Sequence, residues 1–167
     1  MRALFIVMDE LAVRRAQKYL LQGLQAVSLG DFESARNCFK ASAETHATAD
    51  AITYWGWMEH HLGNTQLAID LCKKAIEVDP DFGNPYNDIG SYLVSLGRQD
   101  EAIPWLEKAK VAKRYEPRQF PHINLGNIYL SKNMPAGALK EFEAAFQINP
   151  SDHSLAALVA RLRGTIN

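Results

Sequence analysis

The chain has 167 residues, 47% of them hydrophobic and 22% charged, with a formal net charge of −1. That is the length of one ordinary domain, able to bury roughly 68–70% of its unfolded surface without staples. The balanced charge excludes a global field for nucleic acid or an acidic membrane, and no apolar run approaches the about 18 residues of a membrane-spanning helix.

Residues 1–15 open the chain. Leu4, Phe5, Ile6, Val7 and Met8 are apolar in succession and are cut off by Asp9-Glu10. This run is shorter than the apolar region of a secretory signal, and no small-residue cleavage site follows it. A helix cannot hide five consecutive apolar side chains against one neighbour. The segment is therefore expected to extend the first helix as a cap, or to pair two copies as a homodimer. Folding back into the chain's own binding surface is the further option.

From residue 16 a pattern returns. Gly23, Gly56, Gly90 and Gly126 are separated by 33, 34 and 36 residues, and Ala35, Ala68, Ala102 and Ala138 by the same spacings. Gly30, Gly63 and Gly97 stand between them, with Asn133 in the fourth place; glycine and asparagine tolerate a left-handed backbone best. Such a period marks a repeat array. The repeats run over 16–48, 49–82, 83–118 and 119–152, and the third carries two extra residues near Glu116-Pro117.

Each repeat reads as two helices. Tyr86, Ile89, Leu93 and Leu96 carry the apolar spacing of a first helix; Ala68, Leu71, Cys72, Ala75 and Ile76 carry that of a second. Pro80 and Pro150 close second helices, and Pro85 and Pro135 sit near helix starts. Pro104 is expected to bend its helix slightly. The small Gly and Ala allow two helices to approach closely. One helix pair is too thin to bury its own apolar face, so neighbours must stack. Residues 153–167 are expected to cap the stack through Leu155, Ala156, Leu158, Val159 and Leu162, with Gly164 as a stop.

The pattern Tyr86…Ile89-Gly90…Leu93…Gly97…Ala102…Leu106…Ala109, with Leu125-Gly126…Tyr129…Ala138…Phe142…Ala145…Pro150, resembles the tetratricopeptide repeat (TPR) family. The second repeat matches through Trp55-Gly56 and the first more weakly. The resemblance covers residues 16 to 152. It implies an all-α fold, a right-handed α-solenoid of antiparallel helix pairs, whose first helices line a concave groove. Proteins of this family typically hold an extended peptide or a partner helix there, as adaptors, co-chaperones or assembly factors.

Spacing places Leu20, Leu24, Tyr54 and Trp57 on the groove side of the first two repeats, and Asn87, Asp88, Asn124 and Asn127 on that of the last two. Aromatics are frequent binding anchors, and asparagine offers a peptide backbone both a donor and an acceptor. Asn124 is similar to the inner asparagine ladder in the TPR region of the O-linked N-acetylglucosamine transferase. Each group has a structural alternative: the leucines can pack under the N-terminal segment, Trp57 can stack on a neighbouring helix, and the asparagines can bridge helices. The places where co-chaperones of this family hold a Lys and Arg clamp contain no Lys or Arg, which argues against an acidic-tail receptor.

Other chemistry is sparse. His60 and His61 point about 100° apart on a helix and cannot share a metal; no metal or cofactor is expected. No nucleophile with a paired base and no phosphate loop appears, so catalysis is not expected. Lys108, Lys110, Lys113, Arg114 and Arg118 form a basic run, either a solvated face or a contact for an acidic partner. Cys38 and Cys72 read as lone thiols of a reducing compartment, the cytoplasm. The sequence therefore predicts a non-enzymatic adaptor for a protein or peptide partner. The alternatives are a small chaperone for a secreted or assembling substrate and a self-associating oligomer.

Overall fold

In the computed structural model the backbone is described for residues 2–166 and the side chains for residues 8–166. The described residues form α1 (Arg2–Ser28), α2 (Phe32–Thr45), α3 (Ala49–His61), α4 (Thr65–Val78), α5 (Asn84–Ser95), α6 (Gln99–Val111), α7 (Gln119–Ser131), α8 (Pro135–Ile148) and α9 (His153–Ile166). The helices fall into two compact units, residues 1–80 with α1–α4 and residues 81–167 with α5–α9.

One turn builds all four helix pairs. Gly30, Gly63, Gly97 and Asn133 have φ of 74°, 89°, 75° and 56°. The N–H of the residue after each returns to the carbonyl five positions back, from Asp31 to Ala26, Asn64 to Glu59, Arg98 to Leu93 and Met134 to Tyr129. These bonds satisfy helix-end carbonyls that would otherwise be orphaned. Side chains cap several helix starts: Asp31 accepts from the Ser34 N–H at 3.0 Å, Thr48 from Ala51 at 3.2 Å and Asp152 from Leu155 at 3.0 Å.

In the first unit α1 pairs with α2, α2 with α3 and α3 with α4. Phe39 lies fully buried against Gly23, where a Cβ would come within 2.5 Å of its ring. Ser42 Oγ donates to the Ala16 carbonyl at 2.8 Å and ties α2 to α1. In the second unit α5 through α9 pack in sequence, and α5 also meets α7. Leu155, Val159 and Leu162 of α9 bury themselves against Ala138, Phe142 and Ala145 of α8, the expected cap.

One detail differs from the sequence expectation, and two add to it. Gly164 does not stop α9, which continues to Ile166; its backbone lacks the left-handed φ of the turn glycines. The extra residues of the third repeat do not lengthen α6. They form a connection over 112–118, which is stitched to the start of the unit by Arg114 N–H to the Asp81 carbonyl at 2.9 Å and Gly83 N–H to the Arg114 carbonyl at 2.8 Å. Met8 is 61% exposed and Leu11 59%, so both are largely open to solvent. The side chains of Leu4, Phe5, Ile6 and Val7 lie outside the described residues.

Candidate functional site

The predicted site residues form two clusters, one in each unit. In the first, Tyr54 of α3 stacks on Phe39 with ring centroids 5.1 Å apart and 21° between planes. Trp57 follows one turn later, 6.4 Å from Tyr54, and meets the His61 ring edge-on at 5.3 Å. His61 in turn lies 5.0 Å from Phe32 of α2. Tyr54 and Trp57 are half-buried, and Leu20 packs into the same cluster from α1. Leu24 and Leu21 stay open to solvent, 38% and 66% exposed. The surface is an aromatic run bordered by uncovered leucines.

Helical spacing from Tyr54 and Trp57 already puts His61 on the same stripe of α3, whereas Phe32, contributed by α2, was missed as a member of this run. His60 turns away to Thr65 Oγ1 at 3.1 Å, whereas His61 Nδ1 lies 3.3 Å from the Trp57 carbonyl. Among the described residues no group of three His, Cys, Asp or Glu could hold a metal ion.

In the second unit α5 and α7 bring Asn87 and Asn124 together, Asn124 Nδ2 donating to Asn87 Oδ1 at 3.0 Å. The asparagines thus bridge two helices, and Asn127, one turn further on, is exposed. Asp88 is half-buried as a residue, yet its carboxyl is surrounded closely enough that burial pushes its pKa up to about 7, against a smaller opposing effect of the Asn87 hydrogen bond. Tyr115, from the connection after α6, is 4% exposed and its hydroxyl has no hydrogen-bond partner. Burial raises the phenol first, and the fields of Asp88 and Glu116 raise it further.

The basic run is neutralised piece by piece. Lys110 pairs with Glu107 and Glu141, Lys113 with Asp81, and Arg118 with Glu116. Lys108 lies over the Trp105 ring and Arg114 over Phe82. A buried polar group went unnoticed in the sequence: Glu141 of α8 is 7% exposed and receives Lys110 Nζ at 3.1 Å and His122 Nδ1 at 2.7 Å. The repeat spacing could have revealed it, because the positions equivalent to His122 hold Tyr19, Ile52 and Tyr86, and those equivalent to Glu141 hold Cys38, Leu71 and Trp105.

Residues 20–85 match one tetratricopeptide repeat profile, and residues 84–110 and 122–152 match a second. The chain belongs to the tetratricopeptide repeat family. Among curated TPR relatives it is 28% identical over 151 residues to the type IV pilus assembly protein PilF of Pseudomonas aeruginosa, covering 86% of this chain and 58% of PilF. It is 27% identical over 95 residues to the small glutamine-rich tetratricopeptide repeat-containing protein 2 of Mycosarcoma maydis, covering 56% of this chain and 27% of that one. The TPR chain thus spans well under two thirds of either curated relative. Among solved structures, that of Pseudomonas aeruginosa PilF matches with a TM-score of 0.82 and 26% identity over 90% of this chain and 68% of PilF's. PilW, described as a type IV pilus biogenesis factor, matches with a TM-score of 0.78 at 15% identity, covering 90% of this chain and 69% of that one, a likeness of fold alone. TPR proteins mediate protein–protein interactions, and no described helix is long and apolar enough to cross a membrane.

Proposed function

We propose that this TPR chain is a non-enzymatic adaptor that holds a segment of a partner protein in a groove lined by its first helices, within an assembly of the type IV pilus kind. The observation that carries the reading is the run Phe39–Tyr54–Trp57–His61–Phe32, bordered by the open Leu21 and Leu24. Half-buried aromatic rings lose little freedom on binding and supply large contact areas. The absence of Lys and Arg among the predicted groove residues favours an apolar anchor over an acidic tail. The likeness to PilF supports pilus assembly as the setting.

The test is affinity capture from cells of the source organism, comparing the wild type with Trp57→Ala and with Leu24→Asp, each checked for native helicity. Loss of a pilus-assembly partner in both variants supports the adaptor. Identical captures by all three proteins would overturn it. Met8 and Leu11 favour self-association as a second reading, because both are exposed on α1. Removal of residues 1–15 should then convert an oligomer into a monomer of unchanged repeat helicity, and a monomeric full chain sinks that reading.

A further inference from the structure

The first helix of a stacked repeat meets its own second helix on one face and the second helix of the repeat before it on another. In α3 the latter face is the stripe Ala51, Trp55 and Met58. Ala51 and Met58 are fully buried, Met58 packs with Ala35 and Phe39 of α2, and Lys40 of α2 lies over the Trp55 ring. The corresponding stripe of α7, Pro121, Leu125 and Ile128, is buried as well, and α6 packs on α7. In α1 the same positions hold Lys18, Gln22 and Gln25, and all three are exposed. The face continues toward the start of α1 through Arg15, Arg14, Leu11 and Met8, exposed and within about 60° of Leu11 around the helix. It holds two adjoining hollows. One, of about 490 Å3, lies among Leu11, Arg14, Arg15, Lys18, Tyr19 and Gln22; the other, of about 250 Å3, reaches Met8 and Thr45. Asp9 and Glu10 turn away from Leu11 by about 160° and 100°, and among the described residues no carboxylate pairs with Arg14, Arg15 or Lys18. A face made only for water mixes both signs of charge and carries few large apolar groups. This one is cationic over one half and apolar over the other.

We propose that this face of α1 receives an acidic helix of a partner protein, seated as α2 sits on α3 and α6 on α7. Its carboxylates meet Arg14, Arg15 and Lys18, and an apolar side chain meets Met8 and Leu11. The site lies on a different face of α1 from Leu20 and Leu24 and stands without the aromatic run. The repeat geometry calls for a helix, and charge complementarity sets its chemistry. A second copy does not supply that chemistry. Face to face it brings the same cations, and α9 holds Arg161 and Arg163 but no acid. A bilayer fits no better, because an interfacial helix keeps its apolar stripe along its whole length. Here the stripe beyond Leu11 is Lys18, Gln22 and Gln25.

The test selects ligands for the full chain from a display library of Ala-rich helices of about 18 residues, randomised on one face. The selected helices are then bound to the Arg15→Glu, Lys18→Glu double variant and to Trp57→Ala, each checked for native helicity. Selected helices should carry Asp or Glu beside an apolar residue. They should bind the charge-reversed chain about tenfold more weakly and Trp57→Ala as well as the wild type. Their affinity should fall several-fold between about 0.05 and 0.3 M salt. A library that yields no binder, binders without acidic enrichment, equal binding by the charge-reversed chain, or loss in Trp57→Ala overturns the proposal. A wild type that dimerises where the charge-reversed chain stays monomeric assigns the face to a second copy and overturns it too. So does tighter binding to vesicles of phosphatidylcholine and phosphatidylserine than to any selected helix.

Discussion

Gly126 and Phe142 face each other across α7 and α8 so closely that a Cβ on Gly126 would lie 2.6 Å from Phe142 Cε1 and 2.7 Å from Cζ. Phe142 is fully buried and has no room to retreat. Gly126→Ala gains about 1 kcal/mol of helix propensity but overpacks a tight interface, at about 1–3 kcal/mol. Net destabilisation, read by urea unfolding, is expected. Phe142→Leu in the same chain should restore part of it, because the smaller side chain leaves space for the added methyl group.

The turn positions separate backbone strain from packing. No atom lies within 4 Å of a Cβ built on Gly97, yet its φ is +75°. Gly97→Ala is expected to cost about 1–2 kcal/mol through conformation alone. Asn133, at φ 56°, already tolerates the left-handed region, so Asn133→Gly should change stability by less than about 0.5 kcal/mol. Thermal melts of both variants check the contrast.

Glu141 has two cationic or proton-donating partners in a nearly dry place. Removing one side of a buried ion pair costs about 3–5 kcal/mol; Lys110 and His122 keep 19% and 16% side-chain exposure, which lowers the expectation for Lys110→Ala to about 2 kcal/mol. Replacing the whole trio, as Lys110→Ile, His122→Tyr and Glu141→Leu, should be neutral or stabilising. Chemical denaturation of the single and triple variants decides it, and a triple variant weaker than the Lys110→Ala change would contradict the account.

Asp88 sets a pH dependence of stability. Its carboxyl titrates near 7 in the folded chain against an ordinary value of 3.8. Between those values the folded state holds more protons than the unfolded one, so the Asp88 contribution is full below about pH 4 and is lost as pH rises through 7. Asp88→Asn should therefore match the wild type near pH 4 and exceed it at pH 8, by on the order of 2 kcal/mol. Unfolding curves at the two pH values measure the difference.

The repeat, its turns and its cap were legible because their signals are local or strictly periodic: Gly30, Gly63, Gly97 and Asn133 each announce a backbone conformation, and Leu155, Val159 and Leu162 share one helical face. Tyr54, Trp57 and His61 share one face of α3 by the same periodicity, spaced three and four residues apart, whereas Phe32 meets His61 from α2 and no pattern within α3 records it. Glu141 meets His122 and Lys110 from 19 and 31 residues away, and no pattern within one helix records such a meeting. Tyr115 lies in the connection over 112–118, where the period breaks and spacing arguments stop. The seven-residue length of that connection follows from hydrogen bonds to Asp81 and Gly83 that only the folded chain reveals.

A chain of near-copies runs a hazard that a unique sequence does not: a second helix can dock on the wrong first helix and bury its alanines almost as well. The trio of Lys110, His122 and Glu141 makes α8 unlike its copies. Docked on α1, α3 or α5, Glu141 would press against Tyr19, Ile52 or Tyr86, with its charge buried and unanswered. Misregistered assemblies of the fourth repeat are thereby penalised during folding, before the native stack is complete. The Lys110→Ile, His122→Tyr, Glu141→Leu chain, though as stable at equilibrium, should refold with additional slow phases from misdocked species, which stopped-flow fluorescence of the tryptophans would reveal.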